Sequence, residues 1–366
     1  MKNKKIVIAG GTGFIGQGIA RYFGKENDIV ILGRGVKDHE NNRYDDNNIQ
    51  SSEGYRVTYC QWDGKTKGKW VEHLEAADMM INLAGKSVNC RYHQKQKREI
   101  ILSRVNATQV IGDAIRGCVR PPTLWVNAAS ATIYRNTHDR SNDEFNGIVS
   151  IMKKENMPWS FLDRLRYRKN RLIRGLRYGK NSTQYQELDL DFSVQVCKEW
   201  EKIFFEQRTP FTRKIALRTA ITLGTGGVIT PYLNLCKFAL GGKHGHGLQM
   251  YSWVHIEDVC RMIEWLYEQK EAEGVYNCVA PNAVTNAGFM QTLRKITGHK
   301  IGLPAPAWML ELGAWLIGTE TELMLKSRWV SPRKAMQEGF QFKYPSLEEA
   351  LRQIVGALPR KAYHLF

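Results

Sequence analysis

Long apolar runs and proline are both scarce in this chain of 366 residues. The most apolar late stretch, residues 304–318, carries Glu311 and falls short of the roughly 18 apolar residues of a membrane-spanning helix. Proline occurs only 11 times and 43% of the residues are hydrophobic, so the composition excludes a disordered or fibrous protein. At about 150 residues per domain, the length fits two domains, or one α/β domain with a smaller lobe.

Closely spaced pairs of cysteines are also absent. The seven cysteines are an odd number, with no C-x-x-C pair and no spacing typical of zinc ligands. His244 and His246 lie among glycines, without a Cys or carboxylate at ligand spacing. We therefore expect reduced thiols, a cytoplasmic protein and no metal site.

Negative charge is scarce, since 36 acidic residues stand against 53 basic ones. The net charge of +17 would suit a polyanion such as a nucleic acid, a membrane surface or a phosphorylated cofactor. Ten of the basic residues fall within residues 151–180, where only two residues are acidic. Much of the excess positive charge is therefore local.

The segment 145–187 interleaves these basic residues with apolar ones at the spacing of an amphipathic helix. Three interpretations remain open. The helix folds over its own domain with a solvated cationic face, it binds nucleic acid or an anionic membrane, or it acts as a lid beside the substrate opening.

Short apolar runs alternate with helical patterns along the first half of the chain, which predicts βαβ units and a parallel sheet. The predicted strands are residues 5–9, 28–32, 55–61, 78–83, 123–129 and 214–223, and the predicted helices between them are 13–23, 94–116 and 192–206. We divide the chain into a nucleotide-binding domain, residues 1–230, and a smaller α/β substrate lobe, residues 231–366. The lobe is expected to cover the carboxyl edge of the sheet and contains a strand at 275–279.

Glycines follow the first strand directly and open a helix, in the sequence GGTGFIG over residues 10–16. They permit a tight turn and a close approach of the backbone to a pyrophosphate, which the helix N-terminus attracts. The predicted contacts are Gly10, Thr12, Gly13, Phe14, Ile15 and Gly16. The alternative is a tight turn that packs strand against helix without a ligand.

The end of the second strand predicts which nucleotide binds. Proteins that prefer NAD usually have Asp or Glu there for the ribose 2′-hydroxyl, whereas this strand ends in Gly33 and Arg34. Arg34 favours the 2′-phosphate of NADP(H), unless it is only a solvated surface arginine.

Motifs spread along nearly the whole chain resemble the extended short-chain dehydrogenase/reductase superfamily. They are GGTGFIG (10–16), WDGK (62–65), INLAG (81–85), SRVNAT (103–108), VNAASATIY (126–134), CKEWE (197–201), ALRTAITLGTGG (216–227), YSWVHIEDV (251–259), APNAVTN (280–286) and EGFQFKYPSLEEAL (338–351). Within the superfamily, the chain is similar to the atypical epimerase-like oxidoreductases, usually named nucleoside-diphosphate-sugar epimerases. The resemblance implies a Rossmann fold, a doubly wound parallel sheet, with a C-terminal substrate lobe and NADP(H) as cofactor.

The resemblance also assigns residues. Asp63 would lie near the adenine, and Asn82, Leu83, Ala84 and Gly85 would line the cofactor. Ser130 falls where the superfamily keeps an active-site Ser or Thr, at the carboxyl end of the fifth strand, where its hydroxyl can bind a substrate oxygen. The alternative for Ser130 is a buried serine satisfied by the backbone.

The superfamily's usual acid/base pair, a tyrosine followed four residues later by lysine, is missing, because no tyrosine here has Lys at that spacing. The corresponding positions hold Ser193 and Cys197, and Arg104 replaces the family's supporting Asn. Tyr134 and Cys197 are the candidate proton donors, against the alternatives of a packed ring and a buried thiol.

Arg91 and Tyr92 are candidate contacts for an anionic substrate group, or are solvated. We expect an NADP(H)-dependent oxidoreductase or epimerase-like enzyme that acts on an unidentified small carbonyl or alcohol. Two alternatives remain, a non-catalytic NADP(H)-binding sensor or scaffold and a polyanion-binding protein that acts through residues 151–180.

Overall fold

The structure is a computed structural model that describes residues 1–35, 57–149, 192–305 and 326–365. The basic residues 151–180, and all of the segment 145–187 after residue 149, lie outside the described residues, so the interpretations of that segment stay predictions. No helix in the described ranges is both long and apolar enough to cross a membrane.

A parallel sheet of seven strands forms the centre of the described fold. Its strands are β1 (Lys5–Ala9), β2 (Asp28–Gly33), β3 (Val57–Gln61), β4 (Met79–Asn82), β5 (Leu124–Ser130), β6 (Arg213–Thr219) and β10 (Gly274–Cys278). They lie in the order β10-β6-β5-β4-β1-β2-β3, and all neighbours are parallel. The predicted Rossmann-type α/β fold with a doubly wound parallel sheet is confirmed.

Helices cover both faces of this sheet, as the apolar strands require. They are α1 (Phe14–Phe23), α2 (Gln94–Ile115), α3 (Phe192–Glu206) and α5 (Ile256–Glu268). Alternate β1 residues show the two layers, because Ile6 packs with α1 and α5 while Val7 packs with α2 and α3. Parallel strands that are buried on both faces read as continuous apolar runs, which is why the sequence located them.

The remaining elements build a smaller cluster toward the C-terminus. They are β7 (Ile221–Leu223), α4 (Ile229–Lys237), β8 (Met250–Tyr251), β9 (Trp253–His255), β11 (Val284–Thr285), α6 (Asn286–Thr297), α7 (Arg333–Gln337) and α8 (Leu347–Gly356). Strand β7 pairs with β9, and β8 pairs with β11. Helices α4, α6 and α8 enclose a separate apolar core around Phe289 and Leu351.

Two strand predictions differ from the structure. The predicted strand 214–223 is two strands, because the chain leaves the large sheet after Thr219 and pairs elsewhere from Ile221. The strand predicted at 275–279 is β10, and it pairs with β6 at the edge of the large sheet. The division at residue 230 stays a prediction. Strand β10 follows this division in the sequence but pairs with β6, which precedes it.

Candidate functional site

The glycine loop between β1 and α1 lies against the chain that leaves β4. Gly10 has φ +77°, and a Cβ placed on it would lie 3.0 Å from the carbonyl carbon of Leu83. A Cβ on Gly16 would lie 2.5 Å from the Cα of Gly11. Positive φ and these close approaches both require glycine. The loop is therefore held tightly against the first turn of α1 and the segment 82–85.

The N-terminus of α1 faces outward from this loop without a side-chain cap. Gly13 is the N-cap and makes no side-chain cap hydrogen bond, while Thr12 and Gly13 are exposed. The ring of Phe14 turns away and packs on the loop 224–227, where a Cβ on Gly224 would lie 2.8 Å from it. The first-turn N–H groups, which include those of Phe14 and Ile15, lack intrahelical acceptors and suit an anion.

Asn82 fixes the neighbouring loop from inside the protein. Its buried amide donates to Asn127 Oδ1 at 2.7 Å and to Thr108 Oγ1 at 3.2 Å, and its Oδ1 accepts from the N–H of Ala84 at 3.1 Å. Leu83, Ala84 and Gly85 are consequently held beside the glycine loop at the carboxyl ends of β1 and β4. Asn82 positions this loop, and its amide is occupied by these internal hydrogen bonds.

Arg34 and Asp63 follow adjacent strands at the same edge of the sheet. Arg34 is exposed directly after β2. Asp63 follows β3 and accepts from the N–H groups of Lys65 and Thr66 at 2.8 and 2.9 Å, and the hydrogen bond from the Thr66 backbone is the main reason that its pKa is lowered. This edge thus offers a cation and a fixed carboxylate where the resemblance predicts the adenosine half of the cofactor.

Ser130 ends β5 and lies partly exposed at the carboxyl edge of the sheet. Its Oγ accepts from the N–H of Thr132 at 3.2 Å and donates to Thr132 Oγ1 at 3.0 Å. These local bonds cap a 3-10 turn over residues 131–133. The fifth strand thus ends at Ser130, while the predicted role of Ser130 stays a prediction. Its hydroxyl proton can turn from Thr132 toward an incoming oxygen.

Tyr134 lies inside the protein, with only 1% of its surface exposed. Its hydroxyl donates to Asn277 Oδ1 at 3.0 Å and accepts from Arg218 Nη1 at 2.8 Å. Burial raises its pKa against the opposing effect of Arg218. This environment favours the packing alternative for Tyr134 over that of a proton donor.

The partner of Tyr134 belongs to a buried ion pair that sequence reasoning missed. Arg218 on β6 donates from Nε and Nη2 to the two carboxylate oxygens of Glu201 on α3, both at 2.7 Å. Burial alone would lower the pKa of Arg218, but the Glu201 carboxylate outweighs it and raises that pKa. An arginine that directly follows the apolar run IAL in the strand RKIALRT was the available signal.

Cys197 is a buried thiol one turn before Glu201 on α3. Burial raises its pKa to about 12, Glu201 adds to the rise, and Arg104 opposes it. The group is consequently a neutral thiol at physiological pH, beside the hydroxyl of Ser130. Ser193, one turn earlier, is also buried. The two positions that replace the family's Tyr and Lys thus hold no charge.

Arg91 and Tyr92 precede α2 and are partly buried. The Tyr92 ring packs edge-on against Phe192 of α3 at 4.9 Å between centroids, within a small apolar cluster that also contains Ile100 and Val196. Tyr92 therefore joins α2 to α3. Its predicted contact with a substrate stays a prediction, as does that of Arg91.

Two family models match the chain. Residues 6–151 match the NAD dependent epimerase/dehydratase family, and residues 305–354 match a domain of unknown function, DUF1731. The first match spans the glycine loop, the segment 82–85 and Ser130. The N-terminal part of the chain is thus an epimerase/dehydratase family domain, and the resemblance to the extended short-chain dehydrogenase/reductase superfamily is confirmed.

Relatives that match along the full length have the same family name. The epimerase family protein YfhF of Bacillus subtilis is 27% identical over 353 residues, which cover 96% of this chain and 97% of that protein. The human epimerase family protein SDR39U1 is 25% identical over 96% of this chain and 99% of that protein. Its isoform 2, crystallised with NADPH, superposes with a TM-score of 0.70 at 23% identity over 96% of this chain and 99% of that one.

Sugar-nucleotide enzymes share the fold at lower identity. UDP-N-acetylglucosamine 4-epimerase from Bacillus cereus superposes with a TM-score of 0.61 at 16% identity, covering 96% of this chain and 98% of that one. Such a likeness concerns the fold, and the chemistry must be argued from the residues of this chain.

Proposed function

We propose that this protein binds NADP(H) across the carboxyl edge of its sheet and acts as an oxidoreductase or epimerase-like enzyme on a small carbonyl or alcohol. The observation that supports it most strongly is the glycine loop, where Gly10 and Gly16 leave no room for a Cβ beside an uncapped helix N-terminus. Such a terminus binds a pyrophosphate. The human relative crystallised with NADPH supports the same cofactor.

The residues of this chain would divide the work of binding. First-turn N–H groups of α1 would hold the pyrophosphate, Arg34 would pair with the 2′-phosphate, and the segment 82–85 would lie along the ribose. Bound NADP(H) supplies or accepts a hydride at its nicotinamide. Ser130 would donate its hydroxyl proton as a hydrogen bond to the substrate oxygen, while the N–H of Thr132 keeps Ser130 Oγ in place.

A non-catalytic NADP(H) sensor is the second candidate, and a specific observation favours it. The Tyr134 hydroxyl has both of its hydrogen bonds inside the protein, and burial keeps Cys197 a neutral thiol. Neither candidate proton donor is therefore prepared to exchange a proton with a substrate at neutral pH. Ser130→Ala separates the two functions once a substrate is identified, because it suppresses turnover of an enzyme and spares nucleotide affinity.

The cytoplasm is the compartment that fits this function. All seven cysteines are free thiols in the structure, including the partly exposed Cys90 and Cys118, which agrees with a reducing environment.

Calorimetric titration with NADPH, NADP, NADH and NAD tests the cofactor. We expect NADPH and NADP to bind more tightly than NADH and NAD. Arg34→Ala should weaken the binding of NADPH and NADP by about tenfold or more, the value of a charge-assisted hydrogen bond, and leave the binding of NADH and NAD unchanged. Arg208→Ala is the matched control, because Arg208 is exposed in the loop before β6, at the opposite edge of the sheet. Absence of nucleotide binding would refute the enzyme and the sensor together.

A further inference from the structure

Among the described residues, Arg104 has no carboxylate partner, and it lies at the point where α2, α3 and the segment 82–85 meet. It is partly buried, and burial lowers its pKa. Among the described residues, no Asp or Glu forms an ion pair with it, and its electrostatic neighbours are Cys197 and Tyr92. A partly desolvated cation normally has an anionic partner, so its surroundings are incomplete.

Its guanidinium is held rigidly from one side. Nη1 donates to the carbonyl oxygens of Lys86 at 3.1 Å and Ile100 at 2.9 Å. The guanidinium carbon lies 5.0 Å from the Trp200 ring centroid, and a Cβ on Gly85 would approach that carbon to 2.9 Å. The arginine side chain therefore lies directly against Gly85, in the segment predicted to line the cofactor.

The other edge of the guanidinium remains available. Nε and Nη2 donate to no residue in the part of the chain that the structure describes. Together these two groups form the planar fork that binds a carboxylate or phosphate with two parallel hydrogen bonds. The fork is therefore preorganised for an anion, because the opposite nitrogen already fixes its plane.

Two carboxylates on α2 and α3, the helices that meet at Arg104, are already paired with other cations. Glu99 pairs with Lys86, and Glu201 pairs with Arg218. Cys197, between Arg104 and the Ser130 hydroxyl, remains a neutral thiol. The positive charge of Arg104 near Ser130 is consequently left without a neutralising carboxylate among the described residues.

We propose that Arg104 binds the anionic group, a carboxylate or a phosphate, of the small carbonyl or alcohol substrate whose oxygen Ser130 contacts. This inference rests on the function proposed above and adds the chemical class of its substrate. Arg104 lies at the position where the superfamily keeps a supporting Asn, so the substitution exchanges a neutral amide for an anion-binding group beside the reacting centre.

The test is calorimetric titration of the NADPH-saturated protein with sodium phosphate and with sodium acetate, in chloride-free buffer. NADPH fills the phosphate sites of the cofactor, so further saturable binding reports a separate anion site. We expect one of the two anions to bind with 1:1 stoichiometry, and which one binds distinguishes a phosphate from a carboxylate substrate. Arg104→Gln should weaken this binding by about tenfold or more, and Arg104→Lys should weaken it less.

Arg98→Gln is the matched control, because Arg98 is exposed on the same helix and the change in charge is identical. Thermal unfolding and NADPH affinity show that each variant is folded. Lack of saturable binding of either anion, equal binding by Arg104→Gln, or equal loss in Arg98→Gln would overturn the proposal. A tenfold loss of NADPH affinity in Arg104→Gln without an anion site would instead assign Arg104 to the cofactor.

Failure of the proposed function gives a different result. If wild-type protein does not bind NADPH, that function is refuted, and the same anion titration is made on the nucleotide-free protein. Anion binding to the nucleotide-free protein that depends on Arg104 would support the anion site, and lack of such binding would overturn the proposal.

Discussion

The two halves of the candidate site are built by different means. The cofactor half consists of backbone, with Gly10 and Gly16 packed against neighbouring main chain and Asn82 fixing the adjacent loop from below. The half around Ser130 consists of side chains, with Tyr134, Arg218 and Glu201 linked inside the protein. Backbone geometry is compatible with many chemistries, whereas a side-chain constellation specifies one.

This difference explains which family features the chain retains. A Cβ on Gly10 or Gly16 would clash with neighbouring main chain, so the geometry of this loop depends on glycine at both positions. At the two positions of the usual acid/base pair, Ser193 and Cys197 are buried and neutral. Arg104 brings a positive charge to a third position, that of the supporting Asn. The chain is thus conventional where it would hold a cofactor and unusual where it would hold a substrate.

The largest expected effect comes from Glu201→Ala, which breaks the side-chain half. Removing one partner of a buried ion pair leaves Arg218 uncompensated, and we expect the free energy of unfolding to fall by about 3–5 kcal/mol. Glu199→Ala, an exposed position on the same helix, should leave stability nearly unchanged. Urea unfolding followed by circular dichroism measures both, and equal stability of the two variants would contradict a structural role for the pair.

Gly16→Ala breaks the backbone half. A Cβ at 2.5 Å from the Cα of Gly11 must displace the loop. We expect the free energy of unfolding to fall by about 1–3 kcal/mol and NADPH binding to be lost. Gly356→Ala is the control, because its Cβ would meet nothing within 4 Å at the end of α8. Retention of full NADPH affinity in Gly16→Ala would show that the loop does not bind the nucleotide.

Tyr134→Phe tests whether the side-chain half affects stability independently of NADPH binding. The change leaves Arg218 Nη1 without its acceptor, so we expect a loss of about 1–3 kcal/mol of stability with NADPH affinity unchanged. Tyr363→Phe should have no such effect, since the Tyr363 hydroxyl hydrogen bonds to none of the described residues. A variant of full stability that loses turnover of an identified substrate would instead make Tyr134 the proton donor.

Thiol reactivity gives the smallest effect and tests the neutrality of the side-chain half. Because burial raises the pKa of Cys197 to about 12, its thiol stays protonated from pH 7 to 10 and iodoacetamide should not label it in the folded protein. Partly exposed Cys90 should be labelled, and both should react in urea. Mass spectrometry after digestion measures this, and rapid labelling of Cys197 near pH 7 would show that it is a reactive thiolate and contradict a neutral thiol.

Local patterns predicted the parallel core well, for a physical reason. Strands β1 and β2 are buried on both faces, so their apolar runs appear directly in the sequence, and the predicted limits 5–9 and 28–32 differ from the observed ones by one residue at most. The turn at Ala220 and the return of β10 to the large sheet were not predictable, since strand pairing between residues far apart leaves no local pattern.

The sequence by itself determined the glycine loop, the cation at Arg34 and the absence of the usual tyrosine and lysine pair, because each depends on residue type at a fixed local spacing. Only the tertiary structure decided that Tyr134 hydrogen bonds to Arg218 and Asn277, that Cys197 is neutral, and that one edge of the Arg104 guanidinium has no hydrogen-bond partner among the described residues. Burial and partnership are properties of residues brought together by folding, and they set whether a side chain is structural or available for binding.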